Sequence, residues 1–115
     1  MARVEIIRHV AADPAGVALL LAEPASWPDP DHREQGWTVA APRRVGSRFT
    51  AAVEIASMSG RLATGKVTVK PSSDAGCEVR LVVSASDAAT SVVERSALTF
   101  LGLLADRAQA RSLAA

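Results

Sequence analysis

A chain of 115 residues is the size of one domain with a single core of its own, here read as residues 1–115. Thirteen basic against twelve acidic side chains leave a net charge of +1, which gives no electrostatic case for nucleic acid or for an anionic membrane, and no membrane insertion is expected. A single cysteine excludes an intramolecular disulfide and a cysteine-based zinc cluster, and four aromatic residues, none of them tyrosine, leave almost no platform for stacking bases.

The opening MARVEIIRHV lacks the apolar core of a signal peptide, and no apolar run approaches the roughly 18 residues of a bilayer span, so the expected setting is cytoplasmic. Arg3 to Val10 is rich in β-branched residues and alternates, with Val4, Ile6 and Val10 on one face and Glu5, Ile7 and His9 on the other, which predicts a first strand. Asp13-Pro14 then marks a helix start: the carboxylate can accept from orphan N–H groups and Pro14 suits the first helical position. Val17, Leu20 and Leu21 supply the buried face of that short helix, and Pro24 closes it. The following EPASWPDPDHREQ contains three of the six prolines and supports at most one helical turn near Ala25 to Pro28 before a surface loop.

Trp37 to Ala40 predicts a short strand and PRRVG, Pro42 to Gly46, a turn. Ser47 to Ser57 alternates cleanly, with Phe49, Ala51, Val53 and Ile55 on one face. Arg61 to Lys70 begins irregularly and then places Val67 and Val69 inward; Gly65 predicts a bulge that shifts the register partway. Pro71 to Gly76 reads as a hairpin loop, and Glu78 to Ser86 alternates again, with Val79, Leu81, Val83 and Ala85 inward. Short turns between successive strands imply an antiparallel meander with one apolar face.

Ser91 to Leu113 is the most strongly periodic stretch. At 100° per residue Val93, Ala97, Phe100, Leu101, Leu104, Ala108 and Arg111 share a stripe, and Ser91 with Glu94 fits a capping box. The strands have one apolar face each and only the helices can cover it, so the expected fold is α+β: a curved antiparallel sheet wrapped around a long C-terminal helix, with two short helices after the first strand.

Reactive groups are sparse. Asp29, Asp31, His32 and Glu34 cluster in the proline-rich loop, where carboxylates and imidazole would have to converge to hold a metal and otherwise form a solvated surface. His9 has no identifiable partner, Cys77 reads as a small strand residue, no serine sits in a G-x-S-x-G elbow, and no glycine-rich phosphate loop occurs. The expectation is no catalytic residue, no metal and no cofactor.

Several segments together resemble the SRPBCC superfamily, which contains the START lipid-transfer domains and the polyketide cyclase/dehydrases: VAADP at the end of the first strand, the helix PAGVALLLAEP, the closely following SWPD, the strand start VGSRF, and LGLLADRAQAR in the last helix. The resemblance spans Val4 to Arg111 and implies a helix-grip fold with an apolar cavity between sheet and long helix. Most members have seven strands, whereas about five are readable here, which implies either a smaller or more open pocket or a sheet edge that seeks a partner.

Under that resemblance Trp27 and Trp37 flank the cavity mouth, Phe49, Val53, Val67 and Leu81 line its sheet side, and Phe100, Leu101 and Leu104 form its helix wall. Arg61 would point inward if the alternation runs unbroken through Gly65, placing a guanidinium where it can hold a ligand carboxylate or carbonyl. The expected partner is therefore a small apolar ligand such as a lipid or polyketide, bound non-covalently without chemistry of the protein's own. A polyketide cyclase/dehydrase-like enzyme is one alternative. The other is a dimeric protein-interaction or toxin-like module without a ligand, its homodimer closing the free edge.

Overall fold

The computed structural model describes residues 2–22, 35–57, 60–72 and 76–114, with the side chains of residues 35, 36, 57, 60–62 and 112–114 outside the description. Its elements in chain order are β1 (Ala2–Val10), α1 (Pro14–Leu21), β2 (Gln35–Val39), β3 (Arg43–Val45), β4 (Arg48–Ser57), β5 (Gly60–Ser72), β6 (Gly76–Ala85), one 3-10 turn at Asp87–Ala89, and α2 (Thr90–Ala114). The fold is α+β as the patterning predicts: an open antiparallel sheet in the order β1-β6-β5-β4-β2, with β3 also on β4 and the long C-terminal helix packed on one face, an arrangement compatible with a helix grip. The helical turn expected near Ala25 to Pro28, and the acidic cluster with His32, lie outside the described residues.

The sheet has six strands rather than about five, because part of the expected turn at Pro42 to Gly46 is β3. Arg43 pairs with Thr50 and Val45 with Arg48, which leaves only Gly46-Ser47 as the turn; Gly46 takes a φ of 64°, the left-handed region that costs glycine nothing. Both β2 and β3 lie along β4. Between them the Ala40 N–H still donates to the Ala52 carbonyl at 2.9 Å, while Pro42 has no N–H to offer and interrupts the path.

The expected bulge at Gly65 is also displaced. Gly65 keeps regular register, opposite Val53 on one side and Val83 on the other, and the shift falls between Ile55 and Ala56, whose partners on β5 are Ala63 and Arg61. What Gly65 provides is closeness: a Cβ there would collide with the Val82 carbonyl and lie 2.6 Å from the Val83 Cα.

Helix starts differ in detail. Asp13 precedes Pro14 at the start of α1 but makes no side-chain capping bond; its carbonyl accepts the Val17 N–H at 3.1 Å. In α2 the capping box of Ser91 and Glu94 does not form, since the helix begins one residue earlier and Thr90 Oγ1 donates back to the Ser86 carbonyl at 3.0 Å. The α2 stripe is otherwise as the period predicts. Val93, Ala97, Phe100, Leu101, Leu104 and Ala108 are buried, joined by Ser96 and Ala105, while Arg111 is exposed at the end of the stripe.

By length and composition α2 would also serve as a membrane-crossing helix. Its stripe meets the inward residues of the sheet, among them Val4, Val53, Ile55, Val67, Val69, Leu81 and Val83, in one continuous apolar core. Each such aliphatic side chain contributes roughly 1.5–3 kcal/mol by leaving water.

Candidate functional site

Period-2 alternation on β4, β5 and β6 directs Val53, Val67 and Leu81 to the face that α2 covers, and the α2 stripe directs Phe100, Leu101 and Leu104 back at them. All six are buried, Phe49 is half-buried against the same core, and Trp37 reaches it from β2. The structure therefore brings eight of the expected site residues onto one interior wall. Trp27 lies outside the described residues, as does the side chain of Arg61. The register shift beside Arg61 breaks the even alternation on which its inward placement depended.

At the β2 end of this interior the sheet and helix touch directly. The rings of Trp37 and Phe100 stack with centroids 4.4 Å apart and planes 2° from parallel. Trp37 Nε1–H donates to Ser96 Oγ at 2.8 Å, and both residues are buried. A buried indole N–H needs an acceptor, since leaving it unmade costs about 1–3 kcal/mol.

Ser96 is the only buried polar residue among those described, and reading the sequence for apolar periodicity passes over it. The signal that finds it is positional: three residues after Val93 and four before Phe100, it belongs to the same helical face. Together the three residues form an aromatic plane and a hydroxyl–indole pair set in otherwise aliphatic walls.

Elsewhere the reactive groups are quiet. Cys77 is buried, and burial, with a smaller contribution from the Asp13 carboxylate, pushes its thiol up to about 11, so it stays protonated and a poor nucleophile at neutral pH. His9 is exposed on the outer side of β1, opposite Glu78. Glu78 is held below the ordinary carboxylate range by its hydrogen bond to Lys70, whose Nζ lies 2.9 Å from Oε2. Among the described residues no three His, Cys, Asp or Glu side chains come together as metal ligands. An open groove of about 300 Å³ runs between α1 and the end of α2, floored by Ala12, Leu20 and Ala108 and rimmed by Asp13, Leu19 and Arg111.

No protein-family model matches the chain. No curated protein sequence matches it either. Solved structures do. Protein CV1439 from Chromobacterium violaceum superposes with a TM-score of 0.59 at 18% identity, over 94% of this chain and 98% of that one. Protein Ms6760 from Mycobacterium smegmatis gives 0.56 at 16% identity, over 97% and 91% of the two chains. TTHA0849 from Thermus thermophilus gives 0.54 at 16% identity, over 96% and 99%. At such identities the likeness is one of fold: this chain shares with these bacterial proteins a sheet with a C-terminal helix, an architecture compatible with the helix grip.

Proposed function

We propose that the protein binds a small apolar molecule, of lipid or polyketide type, non-covalently between the sheet and α2, as a short relative of the SRPBCC superfamily acting in the cytoplasm without catalysis of its own. The observation that carries this reading is the Trp37–Ser96–Phe100 cluster, a convergent polar pair in an apolar interior, which is the chemistry that small-molecule sites share. The ligand's apolar body lies along the aliphatic wall and its one polar group takes over the Ser96 hydroxyl or the Trp37 N–H.

In such an exchange the ligand's burial has to offset the packing that Trp37 gives up. Moving Trp37 aside gives up one aromatic stack and one hydrogen bond, about 3 kcal/mol, and returns to water an indole whose burial is worth about 4–6 kcal/mol. Burying roughly 300 Å² of apolar ligand surface returns on the order of 7 kcal/mol. Among the described residues β2 is paired on one side only, to β4, so its displacement breaks one ladder and leaves the rest of the sheet paired.

Native mass spectrometry of freshly purified protein tests the proposal. The expected result is an additional mass of a small molecule that is released by organic solvent, together with a thermal shift when fatty acids or aromatic polyketides are added back. A bare-chain mass and no shift with any of these ligands would refute it.

A further inference from the structure

The strand registers that face the core residues inward also gather charge on the opposite side. Arg3, Arg43, Arg48, Lys66, Lys70 and Arg80 all occupy outward positions of the sheet, against the carboxylates Glu5, Glu54 and Glu78. The rest of the chain carries seven basic against nine acidic residues, so the near-neutral total hides a cationic face and an acidic remainder.

Part of this charge is already partnered: Arg3 Nη2 lies 2.9 Å from Glu5 Oε2, Arg80 Nε stands 4.0 Å from Glu5 Oε1, and Lys70 pairs with Glu78. Arg43, Arg48 and Lys66 are exposed and make no ion pair among the described residues. Neighbouring outward positions lie about 5 Å apart across strands and about 7 Å along them. They act as one patch, being within a Debye length at physiological salt of about 8 Å.

Charge complementarity calls for an anionic partner, and two further features of the face select its kind. The exposed apolar side chains Ile7, 47% accessible, and Val45, 59% accessible, stand at opposite edges of the same face and suit the boundary between lipid headgroups and acyl chains. Among the described residues no Trp or Phe ring is available for bases, since Trp37, Phe49 and Phe100 all pack in or against the core and leave only the imidazole of His9 on this face, and the interleaved Glu5 and Glu78 would oppose phosphates held in fixed register. A diffuse negative layer tolerates both. A second copy of the same face is excluded by like charge.

We propose that the outer face of the sheet is a peripheral docking surface for an anionic lipid bilayer, held by these six cations and seated by Ile7 and Val45. Docking here leaves the opposite, helix-covered face free, so it stands independently of any ligand in the interior.

Flotation of the whole protein with vesicles of phosphatidylcholine, with and without phosphatidylserine, tests the assignment. Binding is expected only to the phosphatidylserine vesicles and falls as salt is raised. Arg48→Glu and Lys66→Glu, at exposed positions whose change leaves thermal unfolding intact, are each expected to lower partitioning at least about fivefold. Arg95→Glu, on the exposed side of α2 and equal in net charge change, is expected to alter it less than about twofold. Three results would each overturn the proposal: no flotation with phosphatidylserine at low salt, an equal loss in Arg95→Glu, or tighter binding to a DNA duplex than to the vesicles. The salt dependence of the unmodified protein decides the matter even if a variant fails to fold.

Discussion

Ser96→Ala removes the acceptor of a buried side-chain bond that ties β2 to α2. The Trp37 N–H then loses its acceptor in a site that leaves the residue only 7% accessible to solvent, which costs about 1–3 kcal/mol. Alanine is the better helix former by roughly 0.5 kcal/mol, so the net loss expected is about 0.5–2.5 kcal/mol. Trp37→Phe removes the donor and keeps a ring against Phe100. Combining the two closes a double-mutant cycle in which the helix-propensity gain cancels, and the coupling isolates the Trp37–Ser96 bond at about 1 kcal/mol. Urea denaturation followed by far-ultraviolet circular dichroism measures all four proteins without relying on indole fluorescence. A coupling indistinguishable from zero, with Ser96→Ala as stable as the parent, would mean that sheet and helix do not meet at this point.

Two further substitutions test the packing, and a third its titration. Gly65→Ala is expected to destabilise by at least about 1–3 kcal/mol in urea denaturation, because its Cβ collides with main-chain atoms of β6 that no side-chain rotation can clear. Gly16→Ala, in the first turn of α1 with open space around it, is expected to stabilise by up to about 0.5–1 kcal/mol. Cys77 sets an alkaline limit. Its folded pKa of about 11 lies above the ordinary 9.0, so the unfolded chain loses its proton first and stability declines as pH rises through that window, by roughly 2 kcal/mol. Stability measured in urea at intervals across the window is expected to fall less in Cys77→Ala, and equal slopes would refute the assignment.

Burial on one side only is what made most of the fold legible. Phe49, Val53, Val67, Leu81 and the stripe from Val93 to Ala108 repeat at 2 or near 3.6 residues because one face meets the core and the other does not. The strand at Arg43–Val45 escapes that logic: all three side chains are exposed, so no alternation marks it, and it exists only because β4 extends far enough to give it a partner. Gly65 shows a different ambiguity, since a glycine in a strand signals either a bulge or a close approach, and only the register tells which. Ser96 is discounted on an apolar stripe unless one asks where a buried indole sends its N–H. Net charge is blind to faces, and the cationic side of the sheet emerges only when the outward positions of β1, β3, β4, β5 and β6 are aligned.

The two ends of the sheet differ in a way that limits how the protein can self-associate. At one end the path along β4 is split into β2 and β3, with Pro42 between them, and such a broken border is a poor template for an incoming strand. At the other, β1 runs nine residues without interruption and contains no proline. Among the described residues β1 is thus the longer unbroken border, the one along which an added strand would find nine consecutive positions to pair.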